Sequence, residues 1–407
     1  MVSIGFVYFC SVIKNNYELQ NDGTMKNILS KRTFIVLPLF LFSLHPLWGQ
    51  KSNFKNDICI PGKLYMLSDI RNDVFVEALI KRWRPYNDFV RFSGDCVYSR
   101  KLNRVASVDT PVDGSNMKIE LVNSDEFEII KEKAISICVG KKGIGTQEVT
   151  VQILGDSFVN GAFFRDALLS KNYIPGIKLV GLRNIKNEEG QYDEGRGGWT
   201  VKKYFEIPKG EMTSYHGYMQ PVGEYRYWGS CEFWKNCYKV INGELTDTEI
   251  VYNCGRYDQC ITKFDKETGY LAAPKKNDLM YDNARGSYMV YTEKKWKNVE
   301  VDERKWAFNY RKYLDMWNLD APKFFAQMLG LNDYRDSLTA DYREWNKKIA
   351  EMKESYYKAV PDGKFIILIP CTTCGSLNNV RGDFTLRQNA SMWQLRKNIC
   401  LLYTSDA

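Results

Sequence analysis

The stretch Val149-Thr150-Val151-Gln152-Ile153-Leu154, followed at once by Gly155-Asp156-Ser157, constrains this chain more than any other. Its apolar, β-branched composition is that of a buried strand. Phe158, Phe163, Phe164, Leu168 and Leu169 come next at the spacing of an amphipathic helix. A serine therefore stands at the carboxyl end of a strand, on a turn into a helix. Open α/β sheets bind ligands at that position. A nucleophile placed there gains exposure and nearby backbone N–H groups. Serine and aspartate are also ordinary helix caps, so this segment alone leaves Ser157 open between a cap and a nucleophile.

The pattern continues as alternating strands and helices. Strands are expected at 149–154, 177–182, 323–329 and 364–369. Helices are expected at 311–317, at 338–357 with Trp345, Ile349 and Met352 on one face, and at 384–399. Parallel strands joined by helical crossovers predict a doubly wound α/β sheet. Residues 51–146 read differently. Short apolar runs at 63–67, 73–80, 88–92, 117–122 and 134–139 are separated by Pro61-Gly62, Ser93-Gly94-Asp95 and Asp113-Gly114-Ser115. They predict a small all-β sandwich or jelly roll, with 140–147 as linker. That region carries no chemical constellation, so a structural role is favoured over substrate binding. The expected organisation is a β domain at 50–146 and an α/β domain at 147–399 holding an insertion at 201–318.

The composition, 44% hydrophobic and 26% charged, is that of a globular chain. Its 407 residues give room for two to three domains. The net charge of +8 arises from 57 basic and 49 acidic residues that interleave, as in Lys294-Lys295-Trp296-Lys297 followed by Glu300, Asp302 and Glu303. Without a one-sign block there is no nucleic-acid footprint. Lys26, Lys31 and Arg32 precede an apolar run at 33–47 and then Trp48-Gly49-Gln50. This reads as a secretory signal that starts at Met25 and is cleaved near Gln50. Residues 1–24 then read as an over-extended start, a first anchor segment being the alternative. The run is broken by Pro38 and Pro46 and is short for a span, so no stable membrane span is expected in the mature chain. The expected location is secreted, periplasmic or at the cell surface.

Export permits disulfides. Of the 11 cysteines, Cys10 lies upstream of the expected mature start, and Cys231/Cys237 and Cys254/Cys260 repeat one spacing. Two bridges are expected within this cluster, with the connectivity open, and a four-thiolate zinc site is the alternative. Cys371 and Cys374 form a C-x-x-C without a redox or metal context, and read as a structural pair.

Three loops now follow three expected strands at one sheet edge. They carry Ser157, Gly197-Gly198-Trp199 and Asn332-Asp333. Acyl transfer through serine needs a nucleophile and donors for the developing oxyanion. The Ser157 and Gly198 N–H groups and the Asn332 amide would supply three. With Gly155-Asp156-Ser157, Gly195-Arg196-Gly197-Gly198-Trp199-Thr200 and Gly330-Leu331-Asn332-Asp333 in this order, the chain resembles the SGNH (GDSL-type) hydrolases over roughly residues 148–399. The resemblance implies a flavodoxin-like three-layer α/β/α sandwich, with Ser157 as nucleophile and Gly198 and Asn332 in the oxyanion hole. It also implies a secreted esterase acting on an acylated, most often acetylated, carbohydrate; no cofactor and no metal are expected. A lipase or acyl-thioesterase is the nearest alternative.

One block of that pattern is missing. The family ends in Asp-x-x-His, but the chain has only two histidines, His45 in the signal segment and His216, and neither stands in that motif. The final eight residues, from Cys400 to Ala407, resemble translated adapter sequence, so 400–407 is expected to be non-native and the chain truncated. His216 lies in the insertion and could act as base only by reaching Ser157; a surface or core histidine is the other reading. A carbohydrate-binding protein with a non-catalytic hydrolase fold is the alternative of another class. The aromatic residues of 204–234 are expected to form mostly the insertion's own core, partly a lid.

Overall fold

The computed structural model describes residues 57–403, apart from positions 69, 76–78, 82–87, 96, 101–104, 124–126, 141–147, 162, 171–175, 185–191, 213, 258, 338 and 371–385. The expected signal segment, the linker at 141–147, Cys371, Cys374 and the last four residues lie outside the described residues. The first seven strands are β1 (Lys63–Leu67), β2 (Asn72–Phe75), β3 (Asp88–Gly94), β4 (Val97–Arg100), β5 (Val105–Val108), β6 (Asn116–Asn123) and β7 (Ile129–Gly140). They form two sheets, ordered β1-β7-β6-β3 and β2-β5-β4. Pairing is antiparallel except between β1 and β7. Alternation along the strands decides what is buried. Ile119 and Leu121 of β6 and Ile135 and Ile137 of β7 point inward, where they meet Val74, Ala106 and Val108 of the second sheet in one core.

A parallel sheet follows. β8 (Val149–Gly155) leads into the short α1 (Ser157–Asn160) and then α2 (Phe163–Ser170), followed by β9 (Ile177–Val180) and β10 (Glu194–Gly195). Between residues 201 and 318 lie β11 (Met219–Pro221), β12 (Arg226–Ser230), α3 (Cys231–Ile241), α4 (Thr248–Cys254), β13 (Asp278–Asp282), β14 (Ser287–Tyr291), β15 (Trp296–Val299), β16 (Trp306–Phe308) and α5 (Tyr310–Trp317). The chain then returns through β17 (Phe324–Met328), α6 (Leu331–Tyr334), α7 (Arg343–Ala359), β18 (Lys364–Ile367) and α8 (Leu386–Tyr403). The parallel sheet is ordered β10-β8-β17-β18, with β9 also on β8. β9 pairs Val149 to Gln152, and β10 continues the same side at Leu154 and Gly155. The second loop therefore follows β10, a two-residue strand too short to read from periodicity, rather than the strand at 177–182.

The expected flavodoxin-like three-layer α/β/α sandwich is not what the chain forms. The described residues are rich in strands spread over five sheets and in aromatic clusters, and the parallel sheet is not wrapped by helix layers on both faces. The reason is the insertion. It adds a two-stranded sheet, β11-β16, and a four-stranded sheet, β12-β13-β14-β15. Its rings also merge with one face of the parallel sheet, so that Tyr204, Tyr218, Tyr310 and Tyr313 share a core with Phe325, Phe365 and the α7 residues Trp345, Ile349 and Met352. The opposite face carries the smaller cluster of Val151, Ile153, Ala326 and Met328. Burying one large aromatic side chain contributes about 1.5–3 kcal/mol, which makes the insertion a large part of this core rather than an appendage.

The rings of 204–234 are core for the most part. Tyr204, Tyr215, Tyr218, Tyr227, Trp228, Phe233 and Trp234 are buried, and Trp234 stacks on Phe264 at 3.9 Å. The expected bridges are absent among the described residues: no disulfide at bonding distance joins Cys231, Cys237, Cys254 and Cys260. Among the described residues no group of three or more His, Cys, Asp or Glu side chains could hold a metal ion. Cys260 Sγ instead lies 3.6 Å from the Leu182 carbonyl oxygen. Helix α8 joins the two halves, its Trp393 Nε1 donating to the Leu79 carbonyl at 2.9 Å and its Leu395 entering the aromatic core. Among the described residues no helix is long and apolar enough to cross a membrane.

Candidate active site

Three loops leave the carboxyl ends of adjacent parallel strands β10, β8 and β17, and these bring the sequence-predicted residues together. β8 ends at Gly155. The Asp156 carboxylate caps α1, accepting from Phe158 N at 3.0 Å, which leaves Ser157 exposed as the first helical residue. The cap and the exposed hydroxyl thus belong to different residues. Beside it, Arg196 N donates to the Gly155 carbonyl at 2.8 Å, locking the second loop to the end of β8. Gly198 is exposed with φ +72, and its missing Cβ would meet nothing within 4 Å. A left-handed, open position is suited to glycine and lets a ligand approach the backbone.

The third loop closes the group. Asn332 Nδ2 donates to the Trp199 carbonyl at 3.0 Å and lies 3.5 Å from Asp156 Oδ2. One side-chain amide therefore spans the neighbours of Gly198 and of Ser157. Next to it, both Asp333 carboxylate oxygens accept from Val201 N, at 3.0 and 3.2 Å. Burial pushes the Asp156 carboxyl up to about 7, with the Phe158 N–H opposing and the Asp333 charge adding to the rise. Burial likewise pushes Asp333 up to about 6, against the Val201 N–H. In the sequence both carboxyls show only as neighbours of Ser157 and Asn332; an Asp beside each candidate residue is the available signal.

Beneath the loops lies a buried polar network that periodicity does not reveal. Arg196 donates to Glu194 Oε2 at 2.7 Å and to the Tyr215 carbonyl at 2.6 Å, while Glu194 Oε1 accepts from Leu182 N and Tyr313 OH, both at 2.6 Å. Tyr204 OH, also buried, lies 2.8 Å from the Gly155 carbonyl and 2.7 Å from the Glu194 carbonyl. A side chain at Gly195 would collide with the Asn160 backbone. Gly195→Ala is therefore expected to cost about 2–4 kcal/mol, in the range of severe overpacking, read as a lower urea midpoint with an unchanged m-value.

His216 does not serve Ser157. It is buried, Nε2 donates to the Glu206 carbonyl at 2.9 Å, and Nδ1 accepts from Tyr218 N at 3.2 Å. Both ring nitrogens are committed to backbone groups. Burial and the Arg196 charge lower its pKa to about 3, so it stays neutral. Replacing it by phenylalanine leaves two backbone groups unpaired, and His216→Phe is expected to lose about 1–3 kcal/mol of stability. Any Ser157-dependent turnover should survive in the folded fraction.

The three loops thus set an exposed serine hydroxyl, an open glycine backbone and a side-chain amide on neighbouring strand ends, with the amide directed at the Trp199 carbonyl and Asp156. Among the described residues no histidine stands beside that serine. Compared with profiles of known protein families and with curated protein sequences, the chain matches none.

Proposed function

We propose that the chain is an ester hydrolase in which Ser157 attacks an acyl carbonyl and Gly198 and Asn332 stabilise the oxyanion. The observation that supports this reading is the Asn332 amide spanning Trp199 and Asp156, the chain neighbours of Gly198 and Ser157, at the carboxyl edge of a parallel sheet. The likeness of the three loop sequences to SGNH hydrolases supports the same roles, and an acetylated carbohydrate is the proposed substrate. Export from the cell is part of this reading. His216 is committed elsewhere, so the test below supplies a proton acceptor from solution. A serine without its base keeps only the oxyanion and binding contributions.

Added imidazole provides the test. With p-nitrophenyl acetate, imidazole should raise the protein-dependent rate, and Ser157→Ala should lower that rate at least tenfold. Equal rates for the two proteins would remove Ser157 as nucleophile. The commitment of His216 to backbone favours one second reading, a carbohydrate-binding protein without turnover. Saccharide binding with no imidazole response would mark it.

A further inference from the structure

One side of the proposed site is built from arginine. Helix α4 lays Tyr252 against the second loop so closely that a Cβ on Gly197 would strike the Tyr252 hydroxyl. Tyr252 is 38% exposed, so this wall faces solvent. Arg256 covers the ring, its guanidinium carbon 5.3 Å from the centroid. Its Nη1 donates to the Asn160 carbonyl at 2.7 Å and also to the Asn160 side chain. Asn160 ends the one-turn helix that Ser157 begins, so the two are separated by about 4.5 Å of helix rise. Arg256 is half-buried, and no described residue accepts from its Nε or Nη2.

A second, fully buried arginine stands behind this wall. Arg183, 1% exposed, donates to Ser214 Oγ at 2.7 Å and to Asn160 Oδ1 at 3.3 Å, and its Nε has no hydrogen-bond partner. Arg165 stands 3.7 Å from Asp193 and 3.3 Å from Asp166. The neighbouring Glu194 carboxylate is taken by Arg196. Burial and the Arg183 charge lower the Arg256 pKa to about 10, with the Asp193 carboxylate opposing.

We infer that Arg256 and Tyr252 form a carboxylate-binding subsite beside Ser157, which selects esters carried on a uronic-acid-bearing saccharide. The inference rests on the esterase reading for its substrate. Its chemistry is the planar guanidinium fork, which meets a carboxylate through two parallel hydrogen bonds, with the Tyr252 ring edge beside the sugar. Because the subsite is partly exposed, the attraction should weaken with salt.

Binding, not turnover, tests it. Ser157→Ala protein is titrated with trigalacturonate and with xylotriose as its neutral counterpart. The uronate should bind at least tenfold more tightly at low salt, with the contrast shrinking at 0.5 M NaCl. Arg256→Gln should abolish the contrast, and Arg256→Lys, which keeps the charge without the fork, should retain only part of it. Equal binding of the two saccharides overturns the inference without any Arg256 variant, and so does a contrast that survives Arg256→Gln in folded protein. Uronate preference without imidazole-rescued turnover would remove the esterase reading and leave the subsite. Turnover without preference would do the reverse.

Discussion

Arg196→Leu is expected to lower the unfolding free energy by about 3–5 kcal/mol at pH 7, the range for breaking a buried ion pair from one side. Arg196 is 1% exposed and its partner Glu194 is fully buried. Leucine fills much of the volume but removes the bonds to Glu194 Oε2, the Glu194 and Tyr215 carbonyls and Tyr257 OH. The Glu194 carboxylate keeps the Leu182 N–H and the Tyr313 hydroxyl and loses its cation. The Arg196 guanidinium also lies over the rings of Trp199 and Tyr204, at 5.2 and 5.6 Å, so the second loop should loosen along with the core. Pairing the substitution with Glu194→Gln separates the causes. The double variant should regain part of the loss, because no buried charge is then left alone. Urea unfolding of the wild type, both single variants and the double variant measures the coupling; a loss below about 1 kcal/mol for Arg196→Leu would show that the pair does not hold this network together.

The same network explains what the sequence could and could not reveal. The run at 149–154 is legible as a strand because a parallel strand is buried on both faces and needs no polar alternation. Gln152, its one long polar residue, gives no sign of its role. It is fully buried and bonded to the hydroxyls of Tyr310, Tyr218 and Tyr313, all three from the insertion. Such partners are more than 60 residues away in the chain, and no local period encodes them. The loop positions of Ser157, Gly198 and Asn332 are legible because each follows an apolar run or a glycine turn at a strand end. Arg183, Arg256 and Tyr252 are not, since a buried arginine looks like a surface arginine until the fold supplies its neighbours. The three-layer sandwich fails for a related reason. It treats the insertion as separable, whereas Tyr204, Tyr218 and Tyr313 complete the face of the sheet itself.

Asp156→Asn is expected to stabilise the protein at pH 8 by about 2–4 kcal/mol while lowering Ser157-dependent turnover. The Asp156 carboxyl, raised to about 7 in the folded chain from an ordinary value of 3.8, holds a proton that the unfolded chain has already released. Stability therefore falls as pH rises between about 4 and 7, by up to about 1.4 kcal/mol for each step of one in pH, and stays low above 7. Asp193 and Asp333, raised to about 6 chiefly by burial, act in the same direction over the lower part of that window. His216, lowered to about 3, acts oppositely and only below its ordinary value of 6.5. Between pH 6.5 and 8 the decline should thus come mainly from Asp156. Asparagine keeps the cap on α1, since its oxygen can still accept from Phe158 N, and it carries no charge to bury, so thermal melts of the variant should be flat across that interval. The cost falls on the site. Asn332 Nδ2, now 3.5 Å from a carboxylate oxygen, would meet a second amide nitrogen and turn away. Losing one hydrogen bond that orients the proposed oxyanion donor, worth about 1 kcal/mol, corresponds to a rate loss of about five- to tenfold. A variant that melts like the wild type at pH 8 would show that the buried carboxylate imposes no such penalty. One that keeps full turnover would show that Asp156 does not position Asn332.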